Sequence, residues 1–406
     1  MNDNTQDKSH KSPQQSANSK IHGVGRLTID AVLAVTDIVE SLHSRISPLS
    51  GLHKKSEEEQ LSGISGLVYR NIRNVTQWVG KNIDVPLGAI NKTLASEPDS
   101  ASAQTLLAAL NGVLGDYLFV RDNPLAIPMH FRRDGQILTD EQLIEIINQS
   151  NGTLLIMAHG LCMNDIQWCR EGHDHGAELA KESGMAAIYL HYNSGRHISD
   201  NGKQFAALLE SLVQVTDKKL DINILAHSMG GLLSRSAFHV AQSSGHKWPE
   251  RLNKLVFLGT PHHGAALEKA GNWIDLILGA HAYTVPFARL VKVRSAGITD
   301  LRYGNVQQSD WHTTERFEFS GDQRQPVPLP DSVCCFAVAT SAKESIHYPL
   351  GDGLVRIKSA LGEHQNSAFH LQFPETHKWV GTHINHMQLL NDPEIYQVLK
   401  TWFEIQ

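Results

Sequence analysis

The sequence predicts the α/β class, with a mostly parallel sheet that helices cover on both faces. Three observations support this prediction. Short, almost continuously apolar runs recur beyond about residue 150, segments with helical spacing separate them, and 406 residues suffice for one large domain with a smaller neighbour. Continuous apolar strands are typical of parallel sheets, because the crossover helices bury both faces of each strand.

Five apolar runs are predicted strands, and two of the segments between them are predicted helices. The strands are predicted at Thr153–Ala158, Ala186–His191, Ile222–Ala226, Lys254–Gly259 and Val333–Val338. The helices are predicted at Asn201–Val215 and Gly230–Ser243. We assign these elements to one catalytic domain over residues 150–406.

The N-terminal quarter has a different pattern. Residues 1–20 are polar and lack the apolar segment of a secretory signal peptide, so a disordered tail is predicted. Three apolar stripes with helical spacing follow, at about 24–46, 64–83 and 103–117, and predict a helical region over 21–125. The helix predicted at 64–83 also carries Arg70, Arg73, Lys81 and Trp78 away from its apolar stripe. Peripheral contact with an anionic membrane is therefore an alternative to burial in a bundle.

Composition excludes several classes of function. The chain has 36 Lys and Arg against 42 Asp and Glu, a net charge of −6, which argues against nucleic acid as a partner. No sequence run reaches the roughly 18 apolar residues that span a bilayer. The four cysteines form no disulfide framework. We expect a cytoplasmic location, with peripheral membrane attachment as the alternative.

A candidate nucleophile lies in the segment Ala226-His227-Ser228-Met229-Gly230-Gly231. A predicted strand ends, a serine follows within two residues, and two glycines open a predicted helix. This strand–turn–helix arrangement exposes a serine oxygen above the edge of a sheet. Small residues are needed at 226 and 230 because the strand and helix backbones approach closely there. The alternative is a serine that merely caps a helix.

Acyl transfer also requires two backbone N–H groups that stabilise the tetrahedral oxyanion. Met229, directly after the candidate nucleophile, is the first predicted donor. His159-Gly160-Leu161 follows an earlier predicted strand, about 70 residues upstream of Ser228, and is the candidate second segment. The alternative for this segment is an ordinary glycine turn.

The two segments, together with Gly259-Thr260-Pro261-His262-His263-Gly264, resemble bacterial lipases and the deacylases that remove an acyl chain from GPI inositol. Both groups belong to the α/β-hydrolase superfamily. The resemblance covers about residues 150–400 and does not extend to the N-terminal helices. It implies the α/β-hydrolase fold, and it implies that Leu161 supplies the second oxyanion donor.

A catalytic triad in this fold follows the chain order Ser, Asp or Glu, His. Asp352 lies beyond the last predicted strand in Gly351-Asp352-Gly353-Leu354-Val355, which looks like the acid-bearing segment of lipases. The alternative is an ordinary Asp-Gly turn. His386 resembles the lipase pattern His-x-x-Leu-Leu, and His383 is the reserve candidate. Three other aspartates are weaker candidates for the acid: Asp300, Asp322 and Asp331.

These residues predict a serine hydrolase that cleaves carboxylic esters of an acyl or lipid substrate through an acyl-enzyme, without a cofactor. An acyltransferase or thioesterase would use the same triad, and a non-catalytic lipid-binding scaffold is the third alternative. Metal ligation by histidine pairs is a further reading, but no pair fits the H-E-x-x-H pattern, so no metal is expected. The pairs are His173 with His175, His262 with His263, and His383 with His386. The oligomeric state is not predicted.

A long connection separates the strand that ends near Gly259 from the strand that begins near Val333. Its length exceeds that of ordinary connections between elements. Residues 267–278 are amphipathic, so we predict a cap over the acyl pocket at about 265–330. A purely structural excursion is the alternative.

Overall fold

The computed structural model describes residues 100–216, 219–265, 295–312 and 324–405. The predicted tail, the first two predicted helices and the amphipathic segment 267–278 of the predicted cap lie outside the described residues.

Within the described residues, eight strands form one sheet. They are β1 (His130–Arg133), β2 (Gln136–Ile137), β3 (Thr153–Ala158), β4 (Ala186–His191), β5 (Asp221–His227), β6 (Leu252–Leu258), β7 (Cys334–Ser341) and β8 (Lys378–Thr382). All five predicted strands are confirmed with small differences at their ends. The sequence analysis did not predict β1, β2 and β8, because these short strands, at or next to the edges of the sheet, lack a continuous apolar run.

The described helices alternate with the strands. They are α1 (Ala101–Val120), α2 (Asp140–Gln149), α3 (His175–Ser183), α4 (Ile198–Gln214), α5 (Met229–Ser244), α6 (Ala296–Tyr303), α7 (Ser309–His312), α8 (Ile357–Ala360) and α9 (Pro393–Trp402). The two helices predicted between the strands are α4 and α5. Local signals determine several boundaries: α2 begins at a capping box of Thr139 and Gln142, and α5 ends at a left-handed Gly245.

The sheet has the order β2-β1-β4-β3-β5-β6-β7-β8. β1 pairs antiparallel with β2 and β4, and the other neighbours are parallel. The chain runs outward in one direction from β3 to β4 and in the other from β5 to β8. The topological switch point therefore lies between β3 and β5, and the loops that follow these strands meet at the same crevice.

The burial of the central strands explains why their sequences are almost continuously apolar. In β3 every residue after Thr153 is buried, and in β5 every residue after Asp221 is buried. One face packs a cluster that includes Trp168, Leu225 and Leu399. Burial on both faces requires apolar side chains at successive positions rather than at alternate ones.

The second half of α1 packs against the loops that follow β3 and β4. A Cβ on Gly112 would lie 2.2 Å from the Cys162 Sγ, and one on Gly115 would lie 1.8 Å from the Asn193 Oδ1. The Asn193 side chain donates to the Gly115 carbonyl at 2.9 Å. Only glycine permits this approach, so the helix backbone itself contacts both loops.

Chain contacts divide the protein into two compact units. Gln104–Arg121 and Ala126–Gln406 form the unit that holds the sheet. The other unit, Met1–Ala103 with Asp122–Leu125, lies almost entirely outside the described residues. By length and hydropathy α1 could span a membrane, which the sequence analysis did not anticipate, but 67% of its apolar window is buried inside the protein. Such burial is typical of a core helix.

Candidate active site

Ser228 occupies a strained turn between β5 and α5. Its backbone has φ 54° and ψ −120°, a conformation that costs a non-glycine residue about 1–3 kcal/mol. The Ser228 amide donates to the Leu258 carbonyl at 2.9 Å, which ties the turn to the end of β6. The Ser228 side chain makes no capping hydrogen bond to α5. The turn therefore has the geometry of a nucleophile elbow rather than that of a serine cap.

The start of α5 packs so closely against its neighbours that positions 230 and 231 have no space for a side chain. A Cβ on Gly230 would lie 2.2 Å from the Ala158 carbonyl oxygen, and one on Gly231 would lie 2.0 Å from the Thr260 Oγ1. This contact explains the two glycines after Met229. It also places the ends of β3, β5 and β6 around Ser228.

Asp352 and His386 form a buried pair. The Asp352 Oδ2 lies 2.6 Å from the His386 Nδ1, and each residue is 1% exposed. The other carboxylate oxygen, Oδ1, accepts from the amides of Leu354 at 2.9 Å and Val355 at 2.7 Å. The structure places the exposed His383 outside this pair, so the two predicted members of the triad that it brings together are Asp352 and His386.

A second histidine connects this pair to the nucleophile turn. His227, directly before Ser228, donates from Nε2 to the His386 carbonyl at 3.1 Å. The two imidazole rings lie 4.7 Å apart between centroids. Burial, aided by the nearby His386, keeps the pKa of His227 well below its usual range, so this ring is a neutral hydrogen-bond donor.

Ser228 and His386 each have one side-chain atom without a hydrogen bond. The Ser228 Oγ and the His386 Nε2 are buried and have no partner within the described residues. Hydrogen bonds between a nucleophile and its base are often long in a free enzyme and shorten when substrate binds. The arrangement thus leaves one acceptor nitrogen and one hydroxyl available for proton transfer.

The segment His159–Leu161 lies directly beside the nucleophile. A Cβ on Gly160 would lie 3.1 Å from the Ser228 Cβ. Leu161 and Met229 are both buried, and neither amide donates a hydrogen bond within the described part of the chain. Because a buried N–H without an acceptor is costly, both amides are suited to receive a substrate oxygen.

The histidine pairs that could suggest a metal have other contacts. The His173 Nε2 lies 2.7 Å from the His175 Nδ1, and the His175 Nε2 contacts the Leu389 carbonyl at 3.2 Å. The His263 Nε2 contacts the Gly362 carbonyl at 3.0 Å. Across residues 100–405, apart from the gaps, no group of three or more His, Cys, Asp or Glu side chains is arranged to hold a metal ion.

Sequence reasoning missed several residues that support the site. His227 and His159 lie within the quoted motifs, but their side-chain partners are distant in sequence. Tyr192 and Ser194, which contact the His159–Leu161 segment, follow β4 and carry no motif of their own. The available signal was positional, since polar residues at the ends of neighbouring parallel strands meet at one sheet edge.

Acidification is expected to destabilise the protein, because four buried histidines are neutral when it is folded. Burial lowers the pKa of His159 and of His175 to about 3, and it holds the pKa of His227 and of His262 well below the usual range. In the unfolded chain these side chains take up protons near pH 6.5, so the unfolded state binds more protons below that pH. Their contribution to stability is complete above about pH 6.5 and is lost as the pH falls.

The expected slope is up to about 1.4 kcal/mol per pH unit for each histidine, between about pH 6.5 and the folded-state pKa. Urea unfolding at about pH 8, 6.5 and 5 measures how the free energy of unfolding changes with pH. This range lies above the ordinary pKa of carboxylates, so the histidines dominate the change. A free energy of unfolding that is the same at all three values would contradict the prediction.

The order of the sheet and the strained turn at Ser228 between β5 and α5 define the α/β-hydrolase fold. A family described as a domain of unknown function (DUF7379) matches residues 119–300, which include Leu161 and Ser228 but not Asp352 or His386. No curated protein matches the sequence significantly.

Several solved structures are distantly similar to this chain. The mature lipase BlEst2 of Bacillus licheniformis is 19% identical over 61% of this chain and 90% of its own, with a TM-score of 0.40. Lipase B of Aspergillus fumigatus is 9% identical over 64% of this chain and 56% of its own, with a TM-score of 0.37. The thioesterase RedJ of Streptomyces coelicolor is 15% identical over 63% and 90%, with a TM-score of 0.35. The fold assignment rests on the sheet and the turn at Ser228, not on these similarities.

Proposed function

We propose that the protein is a serine hydrolase that cleaves carboxylic esters through an acyl-enzyme on Ser228. One observation carries the proposal: a buried Asp352–His386 pair, joined at 2.6 Å, lies against a strained turn that presents a serine. A merely structural serine needs neither the strained backbone nor a buried carboxylate–imidazole pair beside it. Perturbed backbone and buried titratable pairs of this kind are typical of active sites.

The reaction proceeds in two steps. The His386 Nε2 accepts the proton of the Ser228 hydroxyl as the Oγ attacks the acyl carbonyl carbon. The oxyanion that forms accepts hydrogen bonds from the amides of Leu161 and Met229. His386 then gives the proton to the leaving alcohol as the ester bond breaks. Water, deprotonated by the same nitrogen, then attacks the acyl-enzyme. The bond between the Ser228 Oγ and the acyl carbon breaks, His386 returns the proton to Oγ, and the carboxylic acid is released.

Asp352 keeps the imidazole in the productive tautomer. Because the Asp352 Oδ2 is an acceptor at 2.6 Å, the His386 Nδ1 carries the proton and Nε2 is free to accept one. The amides of Leu354 and Val355 hold the carboxylate in place. The negative charge of the Asp352 carboxylate also stabilises the imidazolium of His386 that forms during each step.

We propose an acyl ester or a lipid as the substrate class, on the resemblance of the motifs to lipases and to GPI inositol deacylases. A thioesterase or an acyltransferase differs only in the leaving group or in the acceptor that reaches the acyl-enzyme. A cytoplasmic location and peripheral membrane contact through the N-terminal helices are further proposals; the first two of these helices lie outside the described residues.

Replacing Ser228 by alanine is expected to reduce kcat on p-nitrophenyl esters by about 10⁴-fold or more, because the covalent route is lost. The wild type should show a chain-length optimum and should be labelled at Ser228 by a fluorophosphonate. Ser236→Ala is the matched control: this buried serine also lies on α5, and its hydroxyl has no partner within the described residues. Its removal should leave kcat unchanged.

The same assays distinguish the alternatives. A thioester that is cleaved with a much higher kcat/KM than the matching oxygen ester would favour the thioesterase. Transfer of the acyl group to an added alcohol in preference to water would favour the acyltransferase. A wild type that cleaves no ester or thioester and is not labelled would contradict the proposal and favour the non-catalytic scaffold.

A further inference from the structure

The segment that carries the Leu161 amide is held from both sides by the loop after β4. The Tyr192 hydroxyl donates to the His159 carbonyl at 2.8 Å. The Ser194 hydroxyl accepts from the Cys162 amide at 3.0 Å. All four residues are buried. The two hydrogen bonds therefore restrain the backbone directly before and directly after Gly160 and Leu161.

The His159 side chain bonds within its own segment. Its Nδ1 lies 2.8 Å from the Gly160 carbonyl oxygen, and because a carbonyl can only accept, Nδ1 carries the proton. Burial lowers the pKa of His159 to about 3, so the ring is neutral and keeps this tautomer. The Tyr192 ring stacks on the imidazole at 4.3 Å with an angle of 20° between the planes. The direction of the Nδ1–H donor is thereby restrained.

This hydrogen bond determines the direction of the Leu161 amide. The Gly160 carbonyl and the Leu161 N–H belong to one planar trans peptide, so they point in opposite directions. With the carbonyl drawn towards the His159 ring, the Leu161 N–H points away from that ring. Glycine at position 160 would otherwise let the peptide rotate easily, and a rotated peptide would present a carbonyl oxygen in place of the donor.

We propose that His159 and Tyr192 are positioning residues that together hold the Leu161 amide in the orientation of an oxyanion donor. The inference rests on the proposed function, since an oxyanion forms only if Ser228 attacks an acyl carbonyl. Neither residue exchanges a proton with substrate. Their effect is on the transition state, because only there does the substrate oxygen carry the negative charge that the amide stabilises.

The test compares three variants in steady-state kinetics on p-nitrophenyl esters. His159→Leu removes the donor, and His159→Asn restores an N–H donor at the position of Nδ1. Tyr192→Phe removes only the hydroxyl that bonds the His159 carbonyl. We expect His159→Leu and Tyr192→Phe to lower kcat by about 10- to 100-fold with little change in KM. A misoriented oxyanion donor should lower kcat less than complete removal of that donor would. His159→Asn should recover most of the loss.

A second readout separates positioning from folding. An alkyl trifluoromethyl ketone forms an oxyanion adduct with the serine, so its affinity should fall in parallel with kcat in His159→Leu and Tyr192→Phe. Tyr189→Phe is the matched control, because it deletes another largely buried tyrosine hydroxyl near the same loop, the one that donates to Asp174 at 3.0 Å. It should leave both kcat and the affinity for the ketone unchanged.

Three outcomes overturn the proposal. Variants of His159 and Tyr192 with kcat within about twofold of the wild type exclude a positioning role. A lower kcat with an unchanged affinity for the ketone assigns the loss to another step. A wild type that neither turns over esters nor reacts with a fluorophosphonate contradicts the proposed function itself. This third outcome is distinguishable from the first two, because the wild type is measured beside the variants.

Discussion

Replacing Asp352 by asparagine is expected to reduce kcat by about 10⁴-fold while the protein remains folded. The reason lies in the contacts of the two carboxylate oxygens. Oδ1 accepts two backbone hydrogen bonds, from Leu354 and Val355, and Oδ2 accepts one from the His386 Nδ1. The amide oxygen of asparagine has to occupy the first position, because an NH₂ group there would face two donors. Its NH₂ group then faces His386.

An NH₂ group facing Nδ1 reverses the tautomer of His386. Nδ1 becomes the acceptor and Nε2 carries the proton, so the imidazole can no longer take a proton from Ser228. The loss should therefore appear in kcat and kcat/KM alike. Fluorophosphonate labelling of Ser228 should slow with it, whereas the thermal midpoint should change little because every hydrogen-bond position remains filled.

The matched control is a second buried carboxylate that contacts a histidine. The Asp300 Oδ2 lies 2.9 Å from the His197 Nδ1, and Asp300 was one of the weaker candidates for the catalytic acid. Asp300→Asn should affect stability but leave kcat unchanged. An Asp352→Asn enzyme that retains more than a tenth of the wild-type kcat would show that Asp352 does not orient the base.

Gly230→Ala is expected to cost about 3 kcal/mol or more of stability and to abolish turnover. The added methyl carbon would lie 2.2 Å from the Ala158 carbonyl oxygen and 2.8 Å from that of His159. These atoms belong to backbone at the end of β3, which has no rotamer to adopt, so the start of α5 has to move. That movement would displace the Met229 amide and the Ser228 turn together.

The opposite end of the same helix provides the control. Gly245 has φ 68°, and a Cβ there would meet nothing within 4 Å. Gly245→Ala should therefore cost only about 1 kcal/mol, for the left-handed backbone, and leave kcat intact. Urea unfolding and ester turnover of both variants measure the difference. Equal losses for the two substitutions would contradict the close contact at Gly230.

The sequence predicted the parts of the site that depend on local pattern. Ser228 is recognisable because a buried strand, a turn and a glycine-rich helix start occur in adjacent residues. Asp352 and His386 follow from chain order and from short motifs, and the structure brings them together. Whether the three act as a triad stays a prediction that the variants above test.

The parts that the sequence did not predict depend on contacts between distant residues. His227 bonds to a carbonyl 159 residues away, and Tyr192 to one 33 residues away. No local period encodes such pairs. Two short strands were missed for a related reason: β1 and β8 are partly exposed, so neither produces the apolar run that marks a strand buried on both faces.

The contact of α1 with the loops has a consequence for how this protein can be shortened or recombined. Its backbone at Gly112 covers Cys162, a residue held in a left-handed conformation at φ 60° next to the proposed oxyanion donor. A polypeptide trimmed to begin after this helix would leave that residue uncovered and its conformation unsupported. The helix thus belongs to the smallest polypeptide that keeps these loops in place, and any graft of the domain onto another protein has to place its junction ahead of residue 104.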